Sequence, residues 1–170
     1  MPNIYLIGMM GSGKTVVGKA LALLMNCGFV DIDELIQEKT HQSIPEIFSN
    51  QGEEFFRNQE SLILNEVSAF SPRVVGTGGG TILSPANVKR MRETGKIIYL
   101  ETSLDVLWER VKDKKDRPLL QGSMPEESLK KIFLVRRPIY EQVCHFKVST
   151  DSQTVEALAR QILERLKHVS

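Results

Sequence analysis

Gly8-Met9-Met10-Gly11-Ser12-Gly13-Lys14-Thr15 follows the apolar run Ile4-Tyr5-Leu6-Ile7 and leads into a helical pattern in which Val17, Ala20, Leu21 and Leu24 recur at i, i+3, i+4 and i+7. This is a complete G-x-x-x-x-G-K-[ST] phosphate loop with a strand before it and a helix after it, and it sets the fold class as α/β. The glycines let successive backbone N–H groups turn inward around a polyphosphate, Lys14 adds a point charge near the β- and γ-phosphates, and Thr15 offers its hydroxyl to Mg²⁺. The loop also feeds a helix N-terminus, where partial positive charge accumulates. Gly11, Ser12, Gly13, Lys14, Thr15 and Val16 are therefore the expected nucleotide contacts. A glycine-rich turn matching by chance is the competing reading, and the flanking strand and helix argue against it.

A chain of 170 residues that is 41% hydrophobic can bury about two-thirds of its unfolded surface in one core, so residues 1–170 are expected to form a single domain. With 22 Lys and Arg against 21 Asp and Glu, the net charge is +1. Such a balance creates no bulk field for nucleic acid or an anionic membrane, so neither is expected as a partner and anion recognition must be local. Cys27 and Cys144 match no metal spacing and suit reduced thiols, read here as core residues of a cytoplasmic protein. The run Ile4 to Ile7 is too short for a signal peptide or a membrane span. No repeat or linker separates two cores, and nothing points to an obligate partner, so a monomer is expected.

Beyond the first helix, Gly28 reads as its stop signal and Phe29 to Ile32 as a second strand. Ser43-Ile44-Pro45-Glu46 is a capping box, and a longer helix is predicted from about Glu53 to Phe70. Val74-Val75 gives a third strand, Ser84-Pro85 opens a helix that Gly95 ends, and Ile97 to Leu100 gives a fourth strand. Leu104, Leu107, Trp108 and Val111 keep helical spacing, Ser123-Met124-Pro125-Glu126 caps another helix, and Phe146 to Ser149 is a fifth strand. A last helix buries Val155, Leu158, Ile162 and Leu166. Alternating strands and helices predict a five-stranded parallel sheet covered on both faces, because parallel neighbours need helical crossovers. The loops leaving the C-terminal ends of the strands then share one edge. The phosphate loop, Asp31-Ile32-Asp33 and Gly78-Gly79-Gly80 all fall there.

Asp31 and Asp33, two apart in extended chain, would share a face if the strand persists. One carboxylate near Thr15 can organise Mg²⁺, while the other can accept a hydrogen bond from an attacking hydroxyl. Alternatively, Asp33 is only the cap of the helix through Glu34, Leu35 and Ile36. The ordinary carboxylate pKa, about 3.9, makes Asp33 a weak base that orients as much as it deprotonates. Gly78, Gly79 and Gly80 are either a flexible turn or a place where backbone approaches substrate closely.

Arg57 shares a helical face with Glu60 and Ser61, beside an apolar stripe of Phe56, Ile63, Val67 and Phe70. Arg136 and Arg137 precede Pro138 at the close of a helix. A guanidinium fork matches a carboxylate, yet each of these arginines has the ordinary alternative of a solvated surface charge. Lys112 to Met124, charge-rich and broken by Pro118 and Gly122, reads as a lid that buries little and carries Arg117 over a transferring phosphate.

These motifs resemble the shikimate kinases from end to end. The resemblance rests on the G-x-x-G-S-G-K-T loop, Asp31-x-Asp33, Phe56-Arg57, Gly78-Gly79-Gly80, Arg117-Pro118-Leu119 and Arg136-Arg137-Pro138-Ile139-Tyr140. It implies a three-layer, nucleoside monophosphate kinase-like P-loop fold with a lid at about 112–124 and a substrate-binding region at about 31–61. It also implies ATP-dependent phosphorylation of the 3-hydroxyl of shikimate. Carried across, Thr15 and Asp31 would serve Mg²⁺, Asp33 would activate the hydroxyl, and Lys14 and Arg117 would complete the catalytic set. Arg57, Gly78, Gly79, Gly80 and Arg136 would hold shikimate, with Arg110 and Gln153 near adenine. Ile139 stands where the family usually has Leu, a difference of packing only. Two other readings stay open: a P-loop kinase of another small hydroxylated metabolite, gluconate-like, and a non-catalytic nucleotide-gated switch.

Overall fold

A computed structural model describes residues 1–70 and 72–169. Five strands, β1 (Asn3–Ile7), β2 (Gly28–Asp31), β3 (Arg73–Gly76), β4 (Gly95–Glu101) and β5 (Phe146–Ser149), form one parallel sheet in the order β2-β3-β1-β4-β5. The helices are α1 (Lys14–Leu24), α2 (Ile32–Thr40), α3 (Ile44–Asn50), α4 (Gly52–Ser68), α5 (Pro85–Thr94), α6 (Leu104–Val111), α7 (Pro125–Val143) and α8 (Val155–Leu166).

Alternation along the strands divides the core in two, because successive side chains of a strand point to opposite faces. Tyr5, Ile7, Val75, Ile97 and Tyr99 pack with Ile36, Ile63, Met91, Leu107 and Tyr140 of the helices between β2 and β5. Ile4, Leu6, Val74, Ile98 and Leu100 pack with Val17 and Leu21 of α1 and Leu158 and Ile162 of α8. The result is the expected three-layer α/β/α arrangement. Every residue of central β1 is buried, whereas edge strand β5 alternates buried and exposed. Among the described residues no helix is long and apolar enough to cross a membrane.

The structure corrects several boundaries. Gly28 is the first residue of β2, and the strand ends at Asp31, so Ile32 opens α2 instead of closing the strand. Leu24 is exposed, and Gly18 and Ala22 join Val17 and Leu21 in facing the core. The long helix ends at Ser68. The cap of α7 is Met124 and no side chain bonds the first turn, so Ser123 does not cap it. Helix α7 also runs through Pro138 to Val143, which puts Arg136 and Arg137 inside the helix and not at its close. Proline is tolerated there at the loss of one backbone donor. At either end of α8, Val155 and Leu166 are only half-buried. Cys27 and Cys144 are free and half-buried at the margins of the two cores.

Gly95 ends α5 and begins β4, pressed so closely on the Asn3 carbonyl of β1 that an added methyl would have no room. Gly95→Ala is expected to destabilise the fold by about 1–3 kcal/mol, the usual cost of overpacking. A lowered urea midpoint with unchanged slope would be the signature, and an unchanged midpoint would contradict it.

Candidate active site

Residues Gly8 to Gly13 leave β1 and turn into α1 with Gly11 and Gly13 at φ 80° and 91°, left-handed values that require glycine. Lys14 folds back over this loop and donates from Nζ to the carbonyls of Gly8 and Met9 at 2.8 and 2.9 Å. One of its three N–H bonds remains for a phosphate. Burial lowers the Lys14 pKa to about 8, against the opposing pull of Asp33 and Asp31, so it stays cationic at neutral pH. Gly11, Ser12, Gly13, Thr15, Val16, Asp31, Arg110 and Gln153 line the same cleft of about 780 Å³. Arg110 donates to the Gly11 carbonyl at 3.0 Å, and Gln153 donates from Nε2 to the Ser149 carbonyl at 2.8 Å.

Asp31 and Asp33 sit in different settings. Asp31, the last residue of β2, is itself the N-cap of α2, accepting at Oδ1 from the backbone N–H groups of Asp33 and Glu34. Its other oxygen, Oδ2, accepts from Thr15 Oγ1 at 2.7 Å. Thr15 thus gives away its proton and keeps its lone pairs, leaving two oxygen donors that suit a hard cation such as Mg²⁺. Among the described residues no cluster of three His, Cys, Asp or Glu side chains could hold a metal by itself. The pair therefore fits an ion that arrives bound to nucleotide phosphates.

Asp33 is not the cap. It lies in the first helical turn, and its Oδ1 is buried with no protein hydrogen-bond partner. Burial, then Glu60, then Asp31 push its pKa up to about 7, while Lys14 and Arg117 oppose the rise. The ordinary value assumed from sequence does not apply in this pocket.

On the far side of Asp33 lies a narrower pocket of about 70 Å³, shared by Arg57, Glu60, Gly78, Gly79, Gly80 and Arg136. Arg57 on α4 donates from Nη1 to Glu60 Oε2 at 2.6 Å, and from Nε and Nη2 to Glu53 Oε1 at 3.3 and 3.1 Å. Its guanidinium lies against Gly80 where a side chain would collide, and Gly78 gives way in the same manner to Glu60. A side chain at either position would force the Arg57 or Glu60 head group to shift. Arg136 is 5% exposed and sits against Gly79, while Arg137 points outward to Glu101 and Glu141 at 3.8 and 3.4 Å.

Arg117 lines both pockets from above, its Nε buried without a protein partner. The segment carrying it is less loose than the sequence suggests. Pro118–Leu120 forms a 3-10 turn, and Leu120 is buried in the core with Leu129 and Phe133. Before that anchor Lys112 to Asp116 are exposed, and Asp116 to Leu119 lie over the smaller pocket.

The family model for shikimate kinase matches residues 10–167. A shikimate kinase of Thermodesulfovibrio yellowstonii is 41% identical over 170 residues, covering 100% of this chain and 98% of that protein. One from Acinetobacter baumannii (strain AYE) is 40% identical over 164 residues, 96% of this chain and 91% of its own length. The solved structure of a shikimate kinase from Acinetobacter baumannii in complex with shikimate superposes with a TM-score of 0.96 at 39% identity, covering 99% of this chain and 94% of that one. The chain belongs to the shikimate kinase family.

Glu60, in the smaller pocket, and Tyr140, behind Gly79, carry structural weight that the sequence left unassigned. Glu60 is 1% exposed and ties Arg57 to the residue after the glycine triplet. Its signal was present: with Phe56 and Ile63 it falls at i−4 and i+3 on the apolar stripe of α4, where a carboxylate is out of place. Tyr140 is fully buried, stacks on Tyr99 and donates to the Gly79 carbonyl at 2.5 Å. Burial raises its pKa, so the phenol stays a donor.

Asp33 gives the site a pH signature. Its folded pKa of about 7 exceeds the ordinary 3.8, so its contribution to stability is complete below about pH 4 and is lost as pH rises through 7. In EDTA without nucleotide, the unfolding free energy of the parent minus that of Asp33→Asn is expected to fall across this window and then level off. A flat difference would mean that Asp33 ionises normally.

Proposed function

We propose that this chain transfers the γ-phosphoryl group of ATP to the 3-hydroxyl of shikimate, giving shikimate 3-phosphate and ADP, as a single-domain, monomeric, cytoplasmic kinase. The observation that carries the reading is the junction of the two pockets. Both are lined by Asp33, Gly79 and Arg117, so a phosphoryl donor in one and an acceptor in the other meet beside one buried carboxylate and one guanidinium. Family membership and the likeness to the shikimate-bound relative support the choice of acceptor.

Arg57 and Arg136 hold the carboxylate of the acceptor, with Gly78, Gly79 and Gly80 forming the floor against which the ring lies. Gly11 to Val16 hold the triphosphate through backbone N–H groups, and Arg110 and Gln153 flank the adenine end. Thr15 and Asp31 would hold Mg²⁺, which would neutralise phosphate charge. Asp33 receives a hydrogen bond from the acceptor hydroxyl and takes its proton as transfer proceeds; a pKa near 7 suits a general base at neutral pH. Lys14 and Arg117 stabilise charge on the moving phosphoryl group, whose loose transition state asks mainly for alignment and neutralisation. The residues over the acceptor pocket, Asp116 to Leu119, exclude water that would otherwise compete for the phosphate.

A coupled ADP-release assay with MgATP and an acceptor panel tests the reading. Shikimate is expected to give the highest kcat/KM. A much higher value for gluconate or a nucleoside monophosphate would establish a different acceptor, and nucleotide binding without turnover of any small hydroxy acid would favour a switch.

Arg136 and Arg137 supply a paired control, since their guanidinium groups lie inside and outside the pocket. Arg136→Ala is expected to raise the KM for shikimate roughly 10- to 150-fold, the scale of one lost charge-assisted hydrogen bond. Arg137→Ala, losing half-exposed ion pairs and a contact over the Phe133 ring but nothing in the pocket, is expected to stay near the parent. The opposite ranking in steady-state kinetics would remove Arg136 from the clamp.

A further inference from the structure

We propose that Thr81 is a positioning residue for acceptor binding, acting through Glu60 on Arg57. The proposal rests on the reading of the smaller pocket as the acceptor site. Thr81 follows the glycine triplet and is 0% exposed. Its hydroxyl donates to Glu60 Oε1 at 2.9 Å. The residue cannot drift, because its carbonyl accepts from Asn87 Nδ2 of α5 at 3.1 Å and its N–H donates to the Gly78 carbonyl at 3.2 Å. A buried chain therefore runs from α5 through Thr81 to Glu60 of α4 and ends at Arg57.

The function of that chain follows from counting donors. A guanidinium has five N–H bonds. Glu53 takes those of Nε and one from Nη2, and Glu60 takes one from Nη1. One N–H each on Nη1 and Nη2 is left, two donors available to a carboxylate. This remainder depends on Glu60 offering Arg57 a single oxygen, and it does so because Thr81 occupies the other. A carboxylate 1% exposed cannot turn to water for a replacement donor. Without the Thr81 hydroxyl, the nearest supply is Arg57 itself, which would rotate to pair with both oxygens and withdraw its fork from the pocket. Thr81 thereby fixes how many of the Arg57 donors remain for the acceptor while touching neither acceptor nor nucleotide.

Thr81→Val keeps the side-chain shape and removes the donor. It is expected to raise the KM for shikimate roughly tenfold or more, the scale of one hydrogen bond to a charged group, with kcat and the KM for ATP nearly unchanged. Thr81→Ser is expected to restore the parental KM. In an Arg57→Ala background, Thr81→Val should add nothing further, because the two act on one interaction. A parental KM in Thr81→Val, full additivity with Arg57→Ala, or a loss confined to kcat would each overturn the role. If the valine variant does not fold, comparing Thr81→Ala with Thr81→Ser makes the same distinction, and equal KM values for the two would overturn it. Absence of shikimate turnover by the parent protein would overturn both this inference and the function proposed above, whereas normal parental turnover with an unmoved KM in Thr81→Val would overturn this inference alone.

Discussion

β1 is hydrogen-bonded on both sides, to β3 through Ile4 to Leu6 and to β4 through Asn3 to Ile7, and the rest of the molecule is arranged around that pairing. All four pairings of the sheet are parallel, so every strand delivers its following loop to the same edge. The chain leaves β1 for strands on one side of it and later returns to strands on the other. A crevice opens at such a switch of direction, and here the phosphate loop occupies it. Thr77 continues the pairing past β3 by donating both its N–H and its hydroxyl to the Leu6 carbonyl, at 3.1 and 3.0 Å. That tie sets the height of Gly78 to Gly80 relative to the loop carrying Lys14.

Around this frame the site concentrates charge in little space. Asp33, Glu60, Arg57 and Arg136 line one narrow pocket, and Asp31 and Lys14 line the adjoining cleft. Buried charges are tolerated only when paired and hydrogen-bonded. Glu60 is satisfied at both oxygens and Asp31 accepts on both. Asp33 and Arg117 are the exceptions, each with a buried polar atom lacking a protein partner. Unspent hydrogen-bonding capacity thus lies at the junction where the proposed transfer takes place, and beside it in the remaining donors of Lys14 and Arg57 and the unpartnered Ser12 hydroxyl.

The segment carrying Arg117 shows the same division. Leu120 is committed to the core, whereas the charged run before it makes few buried contacts and holds Arg117 above the junction.

Much of the fold and part of the candidate site were legible in the order of residues. The phosphate loop, the five strands, the capping box at Ser43 and the alternation that demands a parallel sheet are local patterns, governed by hydrogen bonding and side-chain direction within a few residues. The same holds for placing Asp31, Asp33 and Gly78 to Gly80 on one edge. Local rules failed where a long-range contact chose between allowed states. The Thr15 hydroxyl drew Asp31 into the cap that Asp33 could have filled, and packing along α7 carried the helix through Pro138. Residue type alone does not distinguish Arg136 from Arg137, but position does, since Arg136 shares the buried face of α7 with Leu129, Phe133 and Tyr140. That choice follows from which face of α7 meets Tyr99 and Gly79. The elevated pKa of Asp33 likewise needed Glu60, 27 positions away, to be brought beside it. Sequence determined which chemical groups and backbone elements were present; tertiary packing decided which charges were taken from water and placed together, because desolvation and Coulomb interaction depend on distance in space and not along the chain.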